Sequence, residues 1–519
     1  MYFSYLYTME HKIKLLLSTL LINVLSFISL IAFAQKKEPS NAPLKDLDAF
    51  VEQMRNTWNI PGCAIAVVQD GKVIHAKGYG MRDLEQNLPV TAETIFPIAS
   101  NTKAFTTAGL AILVGEGKLD WDRPAKTYIP EFQLFDEYAT QHITPRDMAC
   151  HRSGVPRHDL VWYGAKFTRQ ELFTRMRYLE PNKPFRSLYQ YNNHMFMALG
   201  VLIEKVSGQP WEDFIKTRLL NPLGMKNTIF SVDDLLQRPN FSWSYNYVNG
   251  KMEKMPFTSN VDAMGPTGGI KSNVLDLSNW VIMQLGKGKF SGNQIVPEKE
   301  LAQTHTPQVV VAPMELKYEE YSYGNYGMGW AVNEYKDHLR VMHNGSIEGF
   351  RSQITLFPRK NIGIIMLTNT GVANYWFVNV ISNYISDKLL NLPVTDWSTR
   401  LKIEQSEAKN LELKNASAPD TIKIANTQPS HSLTSFAGIY EHPAYGEFTV
   451  IFQNNALKGS FKIFDFDLLH YHYDTFQTKS ANFDKQKVTF YTNAQGQIDK
   501  LGIILEMALG KEIVFVRKK

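Results

Sequence analysis

"IFPIASNTKAFTTAGLAIL", residues 95–113, sets Ser100 and Lys103 between an extended apolar stretch and a run of Ala, Thr and Leu. A helix beginning near Ser100 puts positions i and i+3 on one face, so the Lys103 amine would lie beside the Ser100 hydroxyl. The helix start adds unpaired N–H groups and positive potential, which favour developing negative charge. A lysine held there, with its pKa lowered by dipoles and burial, can take the serine proton. The four-residue spacing alone says little, since a chain of this length holds about two S-x-x-K by chance. An isolated copy reads more simply as a serine cap beside an exposed lysine. A second copy, Ser406 to Lys409, stands in a polar stretch without apolar surroundings. The neighbours of the first copy therefore decide its meaning.

Two further elements follow in order. "PFRSLYQYNNHMFMALGVLIEKVSG" carries Tyr191 and Asn193 at a bend leading into an amphipathic helix. A phenol on a fixed loop can relay a proton, and an amide can orient the lysine and a substrate carbonyl. Other Y-x-N triplets begin at Tyr247, Tyr323 and Tyr491 but lack that setting. The third element, "VMHNGSIEGF", presents His343, Asn344 and Gly345 ahead of a strand. Glycine at a strand edge lets a substrate backbone approach and pair with it. The N–H of Ser346 would join that of Ser100 as an oxyanion hole, and His343 would offer a proton or a hydrogen bond. Taken alone, each element has a plainer reading: a packed tyrosine with a turn-forming Asn, and a surface histidine near a turn.

Around these elements the pattern is mixed. "LKDLDAFVEQMRNTWN" has helical spacing, and "GCAIAVVQDGKVIHAKGYGMRD" reads as a hairpin about Asp70-Gly71. "GFRSQITLFPRKNIGIIMLTN" repeats that design, and helical patterns fill the middle. The fold expected is α/β (α+β): an antiparallel sheet flanked by helices with a helical insertion. Residues 402–433 turn polar, and short alternating strands with Asn, Gly and Asp turns follow, as in a small β-barrel or sandwich. The boundaries read as a signal peptide 1–34, a main domain 40–400, a linker 401–433 and a C-terminal barrel-like domain 434–519.

The 519 residues are too many for one ordinary domain, and 44% hydrophobic against 20% charged residues excludes global disorder. Net charge is only +5, with Lys and Arg dispersed, so nucleic-acid binding has no support. His11, Lys12 and Lys14 precede a long apolar run ending Ala32-Phe33-Ala34, the form of a secretory signal cut before Gln35. Export to the periplasm is expected. An uncleaved anchor is the alternative, and membrane contact is expected only through it. Cys63 and Cys150 are expected as buried free thiols rather than a disulfide, and no Cys/His spacing suggests a metal or cofactor.

With the three elements in order, the chain resembles the serine β-lactamase and penicillin-binding-protein superfamily, in its class C-like, esterase and D-aminopeptidase branch. The resemblance covers roughly Leu47 to Leu390 and includes "EGKLDWDRPAKTYIPEF", "HITPRDMACHRSGVP", "NPLGMKNT" and "GPTGGIKSNVLDLSNW". It implies Ser100 as nucleophile, Lys103 and Tyr191 sharing the base role, and His343-Asn344-Gly345 in place of the K-T-G box. Asn193, His343, Asn344, Gly345 and Ser346 would then contact substrate. Histidine in place of the box lysine removes a permanent charge and resembles the peptidase and esterase relatives. The last segment is similar to a lipocalin-like barrel, with Tyr440, Tyr445, His470 and Tyr471 in its core or at the site's mouth. The implied function is exported serine hydrolysis through an acyl-enzyme, acting on a D-peptide, ester or β-lactam, small-molecule or peptide in nature and cell-wall derived in one reading. The alternative is a non-catalytic binding protein on the same fold. No G-x-S-x-G elbow supports an α/β-hydrolase.

Overall fold

The alternation of "CAIAVV" explains the layering. In strand β1, Gly62–Gln69, the side chains of Ala64, Ala66 and Val68 enter one core while Cys63, Ile65 and Val67 enter another. A strand buried on both faces must lie inside its sheet with helices on either side. The computed structural model describes residues 42–248, 250–257, 262–311, 317–371, 374–417 and 423–519. The expected signal at 1–34 lies outside the described residues.

Strand β2, Lys72–Asp83, returns antiparallel from β1 through Asp70 and Gly71, both at positive φ, as a tight hairpin requires. The other strands of the sheet are β3 (Leu88–Pro89), β4 (Val309–Val310), β5 (Asn325–Tyr326), β6 (Ala331–Tyr335), β7 (His338–Ile347), β8 (Phe350–Phe357) and β9 (Ile362–Thr368). Their order is β4-β5-β6-β7-β8-β9-β1-β2-β3, antiparallel throughout. The two hairpins legible in the sequence thus meet at the centre, with β9 paired to β1 from Cys63↔Thr368 to Gln69↔Ile362. One face carries helices α1 (Leu47–Thr57) and α5 (Asn374–Leu389). The other carries the helical insertion with α2 (Thr102–Gly115), α3 (Asn193–Ser207) and α4 (Val274–Leu285). Cys63 and Cys150 are free and buried.

The stretch expected as an irregular linker differs. Residues Trp397–Ser417 form a helix, α6. Its first turns are pinned: Trp397 and Leu401 are buried, Trp397 Nε1 donates to Tyr335 OH at 3.0 Å, and Trp58 Nε1 donates to Ser398 Oγ at 3.3 Å. Beyond them the helix is solvated, with Ile403, Leu411 and Leu413 exposed and scattered among polar residues, so its sequence carries no apolar period to betray it. Ser406 of the second S-x-x-K is exposed there, its hydroxyl donating to the Lys402 carbonyl at 2.9 Å.

The C-terminal strands close an eight-stranded up-and-down barrel, from Gly438–His442 to Ile513–Arg517, sealed by Tyr440↔Arg517 pairing. Phe436, Tyr440, Phe448, Phe461, Phe476 and Phe515 are buried in its core. Tyr445 and Tyr471 are also buried, whereas His470 is half-buried. The barrel shares one core cluster with the helical insertion, and residues 44–519 form one compact unit. Docking centres on the loop before and after Asp159. Lys462 Nζ donates to the carbonyls of Leu160 and, at 2.6 Å, Val161. Glu506 accepts from His158 N at 2.6 Å, and Tyr445 OH bonds His158 Nδ1 at 2.7 Å. Burial, with Arg175 nearby, lowers the Lys462 pKa to about 7.

A protease site inserted between Ser417 and Lys423 tests the shared core. After cleavage the two fragments should co-elute on gel filtration at micromolar concentration. Docking releases a proton from Lys462 between pH 7 and its ordinary 10.5, so association should strengthen as pH rises through that window. Separate elution at all pH values would show that the barrel is an independent domain.

Candidate active site

The peptide at Ser100 is built on a corner. A 3-10 turn, Ala99–Asn101, precedes α2, and Ala99 has φ 46°, a conformation unusual for a residue with a side chain. Surrounding bonds over-determine the corner. Ile98 N donates to Ile270 O at 3.0 Å, Ser352 Oγ to Ile98 O at 2.6 Å, and Asn101 Nδ2 to Ser352 Oγ at 2.7 Å. Helix α2 is buried from Thr102 to Leu113, so the Lys103 side chain has nowhere to reach water.

Lys103 Nζ lies 3.1 Å from Ser100 Oγ, 3.0 Å from Asn193 Oδ1 and 3.0 Å from the Thr267 carbonyl. Burial holds its pKa well below the ordinary lysine value, and Arg157 adds to the shift while Asp159 opposes it. Through Nζ it bonds Asn193, Thr267 and Ser100, and loss of its proton would free a lone pair for the Ser100 hydroxyl. Tyr191 O–H donates to Ser100 Oγ at 2.9 Å. Burial raises the pKa of this phenol, against its Ser100 bond and Arg157, so it stays protonated. Asn192 caps α3, its Oδ1 accepting from Met195 N at 3.0 Å, and this sets the bend that delivers Tyr191 and Asn193.

Asn193 turns its side-chain oxygen to Lys103. It stands behind Lys103, its Nδ2 donating to Asp159 Oδ1 at 2.9 Å, and does not line the cleft. Asp159 also accepts from Trp162 Nε1 at 3.0 Å and pairs with Arg157 Nε at 2.6 Å, and Arg157 lies over the Tyr191 ring at 5.1 Å. Sequence reasoning missed Arg157, Asp159 and Thr267. Thr267 sits in the quoted "GPTGGIKSN" phrase, and "RHDLVW" marks the other two only as charges beside an apolar turn.

Strand β7 forms the opposite wall. Ser100, Asn344, Ser346, His343, Tyr191 and Arg157 line part of a cleft of about 470 Å³. His343 is buried, and both ring nitrogens are engaged: Nδ1 with Asn344 O at 2.6 Å, Nε2 with Tyr326 OH at 2.9 Å. A carbonyl only accepts, so Nδ1 carries the proton and Nε2 takes the tyrosine's. Burial and then Lys103 lower the His343 pKa to about 3, against the Asn344 bond. These two bonds tie His343 to Tyr326 and to its own strand, and the residue also lines the cleft. His151, at φ 61° and fully buried, packs its ring 4.3 Å from Tyr191 and accepts from Asn192 N at 3.1 Å. It is a second neutral imidazole, its pKa lowered well below normal by burial and by Lys103.

A partly exposed serine tied to a buried amine and a phenol beside a sheet strand defines a class of site that comparison with known proteins names. Residues 47–375 match the Beta-lactamase family, and the chain belongs to it. Residues 423–517 match a domain of unknown function, DUF3471. The chain is 27% identical over 524 residues to the unguisins hydrolase ungD' of Aspergillus campestris (strain IBT 28561), covering 93% of this chain and 94% of that protein. It is 26% identical over 362 residues to protein flp of Staphylococcus aureus (strain MW2), covering 68% of each. Among solved structures, the octameric penicillin-binding protein homologue from Pyrococcus abyssi aligns with TM-score 0.59 and 23% identity, over 91% of this chain and 99% of that one. SurE with D-Leu aligns with TM-score 0.54 and 17% identity, over 92% and 100%. These two likenesses show the fold.

Gly345 tests the cleft's geometry. A Cβ there would lie 2.5 Å from Ser352 Oγ and closer still to the Ile98 carbonyl oxygen. Gly345→Ala should push β7 from the Ser100 corner, costing about 1–3 kcal/mol in urea unfolding and slowing reaction of Ser100 with acyl probes. Unchanged stability and reactivity would mean that β7 does not depend on this close approach.

Proposed function

We propose that the protein is an exported serine hydrolase that cleaves an amide or ester of a small-molecule or peptide substrate through an acyl-enzyme on Ser100. The observation that carries this reading is the buried Lys103 amine 3.1 Å from a serine hydroxyl that also accepts from Tyr191. Its full-length similarity to a protein named as a hydrolase supports the hydrolytic direction. Export rests on the N-terminal sequence pattern alone, and a cell-wall-derived peptide is the substrate that such a location would supply.

The substrate carbonyl enters between the α2 corner and β7. Ser100 Oγ attacks while its proton passes to neutral Lys103 Nζ. The N–H groups of Ser100 and Ser346 receive the oxyanion. The new ammonium keeps its bonds to Asn193 and Thr267, so charge appears where acceptors already stand. Tyr191 gives its hydroxyl proton to the leaving nitrogen or oxygen and is reprotonated from Lys103. Water then releases the acyl group and restores the Ser100 hydroxyl. His343 takes no proton in this sequence, because its bonds hold it neutral.

Labelling with a fluorophosphonate and with a penicillin probe, followed by peptide mapping, is the test. Label should fall on Ser100 and vanish in Ser100→Ala, while Ser406→Ala changes nothing. Lys103→Ala should slow labelling about 10²–10⁴-fold. The neutral amine is the reactive form, so the rate should hold at neutral pH and fall as pH drops through a Lys103 pKa well below 10.5. Labelling that appears only near pH 10.5 would mean a charged Lys103 and a different base. Complete absence of label on Ser100 would leave the same fold as a binding protein.

A further inference from the structure

His158 has φ 47°, in the left-handed region where a residue with a side chain is strained. Such a conformation persists only where the surroundings over-determine it. Every polar group of His158 is engaged. Its N–H donates to Glu506 Oε2 at 2.6 Å, and its carbonyl accepts from His194 Nε2 at 3.3 Å. The ring Nε2 donates to the Glu180 carbonyl at 3.0 Å, because a carbonyl only accepts. Nδ1 is then the acceptor for Tyr445 O–H at 2.7 Å. Two of these four bonds come from the barrel. Tyr445 is buried in the turn between strands Gly438–His442 and Gly446–Gln453. Glu506 is held by its own turn, where Oε1 accepts from Ala508 N at 3.1 Å.

The strained residue immediately precedes Asp159, which opens the 3-10 turn Asp159–Val161. A carboxylate oxygen only accepts, so the bond from Asn193 Nδ2 to Asp159 Oδ1 decides which way round the Asn193 amide stands. With its nitrogen on Asp159, Asn193 presents its oxygen to Lys103 Nζ at 3.0 Å. The reverse orientation would set an NH2 group against an amine. Relaxing His158 to negative φ would turn the following peptide and withdraw the carboxylate. The charged and titratable groups around Lys103 are Arg157, Asp159, Tyr191, His151 and His343, and Asp159 is the anion among them. Neither Tyr445 nor Glu506 lines the cleft.

We propose that Tyr445 and Glu506 of the C-terminal barrel are positioning residues for Ser100; this rests on the hydrolase reading above. By holding His158 in its left-handed conformation they aim Asp159 at Asn193, and so fix the acceptor that orients Lys103. They act from behind the amine and touch no substrate.

Full-length variants test this through the rate of Ser100 acylation by a fluorophosphonate, separated into probe affinity and maximal rate. Tyr445→Phe and Glu506→Ala should each lower the maximal rate about tenfold, as misplacement of a catalytic group does, and leave affinity unchanged. Glu506→Gln keeps an accepting oxygen and should recover most of the loss. In an Asp159→Ala background, adding Glu506→Ala should cost less than about twofold, because the link it serves is already cut. Asp159→Asn keeps an acceptor for Asn193, removes the anion and leaves Arg157 in place. The acid limb of its rate profile should therefore move to lower pH, since Asp159 raises the Lys103 pKa and Arg157 lowers it. An unchanged maximal rate in Tyr445→Phe and Glu506→Ala, a loss confined to affinity, the same loss in both backgrounds, or an acid limb that stays in place would each overturn the positioning role. Failure of the hydrolase reading shows differently, as an unlabelled Ser100 in the unaltered protein. The carbon-13 signal of Lys103 Cε then reads the chain without turnover: it should respond to Glu506→Ala only while Asp159 is present, and indifference to Glu506→Ala would overturn the role there too.

Discussion

A lysine amine sealed from water must find acceptors or lose its proton, and at Lys103 the protein imposes both conditions. Asn193 and Thr267 supply fixed acceptors, and burial removes the solvation that would hold the charge. The same nitrogen reaches Ser100 Oγ at 3.1 Å. Much of the surrounding structure exists to keep that amine dry and those acceptors still. Helix α2 is buried on every side, and Thr267 Oγ1 donates to the Asn193 carbonyl at 2.9 Å. Asn193 is held in turn by Asp159, whose loop is clamped from outside by Lys462, Glu506 and Tyr445 of the barrel. The DUF3471 segment thereby reaches the reacting centre through a chain of hydrogen bonds without touching Ser100.

The sheet supplies the other wall by register alone. Pairing of β1 with β9 brings the first and last hairpins of the main body together, and β8 then carries Ser352 to the Ile98 carbonyl and Arg351 to the cleft. A slip of one residue would exchange the two, turning the guanidinium into the corner and the hydroxyl to solvent. The same alternation places His343 inward and Ser346 towards substrate on β7. Doubly bonded His343 fills that inward place without adding a charge beside Lys103.

Much of this was legible in the sequence, and the omissions have physical causes. Asp70-Gly71 and the alternating runs beside it announce the central hairpin, because only small or polar residues accept the required φ. Ser100, Lys103 and Tyr191 were found because local spacing brings the first two together and a helix cap delivers the third. Asp159 and Arg157 reach the site through tertiary packing of an irregular loop, which leaves no period to read. Helix α6 was missed because it is anchored by one turn and is otherwise solvated. The engagement of His343 could not be foreseen, since its partner Tyr326 comes from another strand and Asn344 offers its backbone.

The central claim is the charge state of one amine, and it can be measured directly. Lysine residues labelled with carbon-13 at Cε can be titrated by NMR, and the Lys103 signal assigned by its loss in Lys103→Gln. Lys462, lowered to about 7, supplies an internal comparison at the barrel edge. The account predicts that Lys103 carries a neutral amine at pH 7 and protonates only on acidification. An ammonium signal that persists at neutral pH and titrates near the ordinary 10.5 would contradict it.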